Sequence, residues 1–269
     1  MSSIAAIKMR KAQQRVLAAR PYSDKIVEVL GALSARGADG LEGEGVHPLL
    51  EKRPTKKIQV VHITSDRGLC GGMNGNLNRQ TGSYILHQAL PVSVVTVGKK
   101  GRDFMIRFGR DVKAVFTDLG DAPRLLDTTP IAKVVSDDYT KGEVDEVYIA
   151  YTQFVNNLVQ RPVLQKLLPI EPPKAPEGEK TKQVDFIFEP STDDVFARLL
   201  PRYVDMQIYH AVLETIASEQ SARMVAMRNA SENAKDMITS LTLEMNKARQ
   251  EQITKELLDI TGGVAAMEG

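Results

Sequence analysis

Apolar residues near the start of the chain recur in alternating four- and three-residue steps: Ala5, Met9, Ala12, Val16 and Ala19, then, past a polar Ser23, Ile26, Leu30 and Leu33. That spacing keeps one face of an α-helix apolar and predicts a helix over 1–36 that seats a partner helix along its stripe. Pro21 falls inside it, where the missing backbone hydrogen bond permits a kink. The glycine-rich run from Arg36-Gly37 to Gly45 then stops the helix, leaving a polar loop to about Lys57.

The middle of the chain alternates instead. IQVVHIT (58–64), VSVVTVG (92–98), VKAVFT (112–117) and EVYIAYTQF (146–154) are short, β-branched and bounded by turn residues, which predicts strands. Between them, 72–89, 99–108 and 123–137 carry helix-compatible patterns. The resulting β-α-β-α-β order predicts a small Rossmann-like open α/β domain over 57–190. Within it, 155–169 continues as a hairpin-like strand, 169–182 (PIEPPKAPEGEKTK) reads as a polar linker, and 184–189 (VDFIFE) as a last strand at the sheet edge.

A third segment, 191–267, reads as one long helix. Ser191-Thr192-Asp193-Asp194 supplies an N-cap and acidic first-turn residues, Pro201 interrupts early, and Gly262-Gly263 supplies the stop. Between Arg202 and Thr261 there is no Gly and no Pro, which corresponds to roughly 90 Å of helix. A domain of the size predicted for the middle segment is only roughly 40 Å across, so the helix is expected to project and to need a partner. Its stripe runs from Met206 through Leu213, Ile216, Met227, Ile238 and Met245 to Ala248 in three-four spacing. The first helix carries the complementary stripe, so the predicted architecture is an antiparallel two-helix coiled coil on a small α/β domain. Small Ala and flexible Met make that seam a weak one.

Composition removes several function classes. With one cysteine, Cys70, no internal disulfide is possible, and His47, His62, His87 and His210 show no metal-ligand spacing. Lys+Arg total 35 against Asp+Glu 34, so no global excess points to nucleic acid. No run reaches the roughly 18 apolar residues of a membrane span, and the N-terminus carries no secretory pattern. No metal and no cofactor is expected.

Three local features carry candidate chemistry. SDRGLCGGMNGN (65–76) follows a strand and precedes a helix, where a phosphate-binding loop would lie, yet its glycines match neither G-x-G-x-x-G nor the P-loop signature. GKKGRDF (98–104) is basic but lacks the hydroxyl that would hold magnesium. Cys70 near a helix N-terminus would have a lowered pKa and nucleophilic character, against the ordinary reading of a small buried hydrophobe. Lys8, Arg10, Lys11, Arg15 and Arg20 all precede the first acidic residue, Asp24. That cluster is either a solvated face or a surface registering an acidic protein partner.

Taken together, ITSDRGLCGGMNGNLNR, GKKGRDF, KMRKAQ (8–13) and the stretch from SEQSARMVAMRNASENAKDM through LLDITGGVAAM resemble the γ subunit, or central stalk, of the F-type ATP synthases. The resemblance covers essentially the whole chain. It implies a non-catalytic rotor subunit without bound cofactor: an antiparallel coiled coil threading a ring of α and β subunits, with the α/β domain on the membrane c-ring beside the ε subunit. It implies a peripheral place on the cytoplasmic face of a bacterial inner membrane, with no transmembrane segment and no nucleic acid. Residue by residue, Arg249, Gln250 and Thr254 match polar positions facing a β-subunit loop, and Val264 and Met267 the apolar tip in its upper sleeve. Lys8, Arg10 and Lys11 match basic positions near an acidic lever loop of β. Asp66, Arg67, Gly68 and Cys70 fall on the α/β-domain motif, where contact with β or a neighbouring subunit is implied. The single cysteine excludes the redox switch of the chloroplast form. Family members begin roughly twenty residues earlier, so the first helix is expected to cover its partner only to near residue 237, leaving Ile238, Leu241 and Met245 exposed. Two other readings stay open on the residues alone: a small α/β enzyme using loop 65–76, and a coiled-coil scaffold docking on nucleic acid through 8–20.

Overall fold

β-branched runs of the middle segment pair side by side into one sheet. The computed structural model describes residues 2–36, 47–171 and 192–268, and the predicted strand 184–189 and the Ser191 cap lie outside them. Along the chain follow α1 (Ser2–Arg36), β1 (Ile58–Ile63), α2 (Met73–His87), β2 (Val92–Val97), α3 (Lys99–Arg107), β3 (Asp111–Phe116), α4 (Leu125–Thr140), β4 (Glu146–Phe154), β5 (Gln160–Leu168) and α5 (Thr192–Glu268). The sheet order is β3-β2-β1-β4-β5. β1 pairs in parallel with β2 and β4, β2 in parallel with β3, and β5 runs antiparallel to β4.

Alternation along the parallel strands divides their side chains between two helical layers. Ile58, Val60 and Val94 pack with Leu77 and Ile85 of α2 and Met105 of α3. Val61, Ile63, Val95 and Val97 share the larger core with α4 (Ile131, Val135, Tyr139), with α1 (Ala12, Val16, Ile26, Leu30) and with the first part of α5 (Leu200, Val204, Ile208, Leu213). Six positions of the predicted α1 stripe, Ala5, Met9, Ala12, Val16, Ile26 and Leu30, are buried. Two loop residues bridge α1 and α5. Asp121 receives Lys8 Nζ at 2.6 Å and Gln220 Nε2 at 3.1 Å, and its carbonyl receives Arg15 at 3.0 Å. Asn157 likewise meets Gln13 and Ser221.

Helix α5 passes through both of the breaks expected within it. It runs as one 77-residue helix through Pro201 and through Gly262-Gly263. Pro201 removes one backbone bond, but Leu200 and Val204 on either side of it are fully buried and hold the helix in place. Neither Gly262 nor Gly263 takes the left-handed conformation that would end a helix. Burial along α5 ends earlier than expected. The last buried residue is Ala222 and the side chains of α5 are exposed from 228 onward, not from near 237.

The described chain forms two compact units, Met1–Val225 and Ala226–Gly269. The first holds the sheet and every buried residue, the last of them Ala222. The second is helix throughout its described length, and its side chains from 228 to 264 are exposed on all sides. They include Ile238, Leu241 and Met245, as expected, together with Ile253, Leu257 and Ile260. Among the described residues no helix is long and apolar enough to cross a membrane.

Candidate functional site

The loop after β1 lies where a doubly wound sheet would bind phosphate, and the chain itself fills that place. Asp66 Oδ1 accepts the Lys99 N–H at the start of α3 at 3.0 Å, and Oδ2 accepts the Asp118 N–H after β3 at 3.0 Å. An internal carboxylate thus occupies the helix N-terminus that a phosphate would need. The cavity at the ends of β1 and β2 is only about 40 Å³, lined by Thr64, Ser65, Asp66, Gly98, Thr215 and Glu219 among others. Ligand sites for small molecules run to several hundred Å³, so the pocket admits water and no nucleotide.

The same loop is tied to α5. Arg223 donates to the Gly68 carbonyl at 3.2 Å and to Glu219 Oε1 at 2.5 Å. Burial pushes the Glu219 carboxyl above its usual range, and the Arg223 guanidinium opposes that shift. Cys70 is buried with Met73 and Ala222, and its sulfur accepts from Asn74 Nδ2 at 3.2 Å. Burial raises its thiol pKa, the opposite of what a nucleophile requires. Arg67 is exposed, and so is Leu69, held at φ 63°. Loop 65–72 therefore presents Arg67 and Leu69 outward, with Asp66, Gly68 and Cys70 engaged by the rest of the chain.

The remaining candidates lie elsewhere. Lys8 is paired to Asp121, a half-exposed bridge worth little in stability. Arg10 and Lys11 are exposed, and among the described residues no ion pair holds them. Arg249, Gln250 and Thr254 are exposed on the second unit, with the Thr254 hydroxyl donating to the Gln250 carbonyl at 2.9 Å. Val264 and Met267 are exposed there as well. Among the described residues no cluster of potential metal ligands forms.

The comparisons with known proteins fit this picture. The ATP synthase family model matches residues 1–267. The ATP synthase gamma chain of Dehalococcoides mccartyi (strain ATCC BAA-2266 / KCTC 15142 / 195) is 57% identical over 267 residues, covering 99% of this chain and 92% of that relative. The gamma chain of Pelotomaculum thermopropionicum is 48% identical over 268 residues, covering 100% and 92%. The chain belongs to the ATP synthase gamma-chain family. It is thus a non-catalytic stalk subunit. The fold agrees with the central stalk of the Tetrahymena thermophila mitochondrial ATP synthase, at a TM-score of 0.65 and 24% identity over 86% of this chain and 97% of that one. It also agrees with a chain of the Euglena gracilis mitochondrial enzyme, at a TM-score of 0.59 and 19% identity over 96% and 94%.

Pattern reading missed the residues that tie this stalk subunit together: Asp121, Asn157, and the Glu214–Ser221 segment of α5. The last had a readable signal, since Gln220 interrupts an apolar stripe and Glu214, Thr215, Ser218 and Glu219 crowd around it. All are buried.

One buried group on β1 makes the fold sensitive to acid. His62 is fully buried, shares a 2.8 Å hydrogen bond with Asn78 Oδ1, and has its pKa lowered to about 4 by burial, which the Asn78 bond only partly offsets. The unfolded chain takes up this proton near pH 6.5 and the folded chain only near 4, so between those values the unfolded state binds more protons. Stability is full above about pH 6.5 and falls by on the order of 3 kcal/mol by pH 4. In urea denaturation across that window, His62→Gln is expected to flatten the acid slope relative to the parent chain. An unchanged slope would exclude His62 as its source.

Proposed function

We propose that this stalk subunit carries rotation between a membrane ring of c subunits and a catalytic hexamer of α and β subunits, coupling proton flow to ATP synthesis or hydrolysis. The observation that carries this reading is the second unit, a helix exposed on every side over 228–264 with six or more large apolar side chains in water. A lone helix of mixed sequence is marginal in water, and burying one such side chain contributes about 1.5–3 kcal/mol. An enclosing sleeve supplied by other subunits meets both needs. A single helix presents a different face to each catalytic site around it, and unequal contact shifts each site toward a different conformation. Similar solved structures, a central stalk with its c-ring and a rotor in one rotational state, support the same reading.

Within it, Arg249, Gln250 and Thr254 bind a β-subunit loop, and Val264 and Met267 seat in the apolar upper sleeve. Lys8, Arg10 and Lys11 approach an acidic lever loop of β, where clustered charge registers the contact. Arg67 meets a neighbouring subunit from the loop shaped by Asp66, Gly68 and Cys70, and the α/β domain rests on the c-ring beside ε. The subunit works peripherally at the cytoplasmic face of a bacterial inner membrane. The test is a reconstituted enzyme carrying Arg249→Ala and Gln250→Ala. Assembly with the α/β hexamer is expected to persist while ATP-driven proton pumping per ATP hydrolysed falls about tenfold, the loss of two polar contacts. Pumping at the parental ratio would remove these residues from the coupling contact.

A further inference from the structure

Strand β4 outruns its neighbour. Its last residue paired to β1 is Ala150, opposite His62, yet β4 continues to Phe154. On the side that β1 has vacated, α5 side chains take the strand's hydrogen bonds. The Thr152 N–H donates to Thr215 Oγ1 at 3.4 Å, Ser218 Oγ donates to the Thr152 carbonyl at 3.0 Å, and the Phe154 N–H donates to Glu214 Oε2 at 2.7 Å. One turn further, Ser221 Oγ donates to the Asn157 carbonyl at 2.8 Å. Thr215 donates its own proton to the Ala211 carbonyl at 2.9 Å, which leaves its oxygen free to accept. Glu214, Thr215, Ser218 and Ser221 are all almost fully buried.

This contact has a property that the surrounding core lacks. Apolar packing is non-directional, and around small residues such as Ala211, Ala217 and Ala222 it tolerates slip. Hydrogen bonds to the same-side groups of Thr152 and Phe154 admit one register only. Turning α5 by one residue, or sliding it by about 1.5 Å, would leave buried backbone groups without partners, which proteins avoid. We propose that Glu214, Thr215 and Ser218 are a torsional key: positioning residues that fix the rotational phase of α5 on the sheet, so that torque applied to the α/β domain turns α5 instead of slipping past it. The proposal rests on the rotor reading and names where in this chain its load is held.

The test is a load series on the reconstituted, complete ATP synthase. In the variant Glu214→Leu with Ser218→Ala, ATP hydrolysis without a proton gradient is expected to stay near the parent level, while the largest gradient reached by ATP-driven pumping falls about threefold, as expected when a supporting contact is loosened. Glu214→Gln, whose amide oxygen can still accept from Phe154, is expected to behave as the parent. A merely structural role would lower hydrolysis equally at every load and would overturn the proposal. So would a double variant that sustains the parental gradient. Should the double variant not assemble, Ser218→Ala alone is put through the same series with the same two readings. Arg249→Ala with Gln250→Ala runs alongside: if it uncouples while the α5 variants do not, the key fails and the rotor stands, and if it too stays coupled, the rotor contacts fail first.

Discussion

Gly98→Ala is expected to destabilise the first unit by about 4 kcal/mol or prevent its folding, as backbone strain and overpacking add at one site. Gly98 joins β2 to α3 at φ 95°, a backbone conformation that side chains rarely adopt. A methyl group there would lie 2.2 Å from the Thr64 carbonyl oxygen and 2.8 Å from its carbon. Neither partner can yield. The Gly98 N–H is bonded to the Phe116 carbonyl at 2.8 Å, and the Thr64 N–H to the Val97 carbonyl at 2.8 Å, so both backbones are held by the sheet. Gly75→Ala in the first turn of α2 is the control, because nothing lies within 4 Å of its added methyl, and the change is expected to be neutral or to stabilise by up to about 1 kcal/mol. Guanidinium denaturation of the two variants measures the contrast. Equal midpoints would mean that the β2–α3 turn is far softer than its hydrogen bonds indicate.

A chain ending at Val225 is expected to keep the stability of the first unit while abolishing coupling. Among the described residues every buried one lies at or before Ala222, so removing 226–269 takes away none of that core and should alter the unfolding free energy by less than about 1 kcal/mol, the range of exposed substitutions. The same removal takes Arg249, Gln250, Thr254, Val264 and Met267 with it, and ATP-driven pumping by the reconstituted enzyme is expected to drop at least about tenfold, since the contacts that distinguish one catalytic site from the next are gone. Calorimetry of the isolated chain and gradient formation by the enzyme read the two effects separately. A large fall in unfolding temperature would show that the second unit supports the first. Undiminished pumping would show that rotation reaches the hexamer by another route.

Local pattern was enough for the elements that bury one face. The α1 stripe is legible because a helix packed on one side repeats its apolar residues every three to four positions. The strands of the sheet are legible because β-branched runs between turn residues have few other uses. The family, too, was legible, since its motifs stand in order along the chain. The exposure of Ile238, Leu241 and Met245 was expected from the count of residues in α1, though the structure shows that exposure begins at 228.

Other features had no one-dimensional signature. Pro201 and Gly262-Gly263 read as breaks, yet α5 passes through both, because propensity is a weak prior that buried neighbours such as Leu200 and Val204 override. Loop 65–76 stands where phosphate would bind and its glycine spacing argues against that, but nothing in the sequence shows that the Asp66 carboxylate fills the place, bonded to Lys99 and Asp118. Of the two readings of Cys70, the ordinary one of a small buried hydrophobe holds, and its partners Met73 and Ala222 come from separate parts of the chain. The bonds from α5 to β4 join residues far apart in the chain, and they exist only because β1 ends before β4 does. Among the described residues, periodicity marked most of the segments that form helices and strands, since it is a local property of the backbone, but it did not decide that α5 passes through Pro201 and Gly262-Gly263. Which polar groups meet, and therefore which remain for partners, is settled by long-range packing, because a buried donor takes whatever acceptor the fold brings within reach.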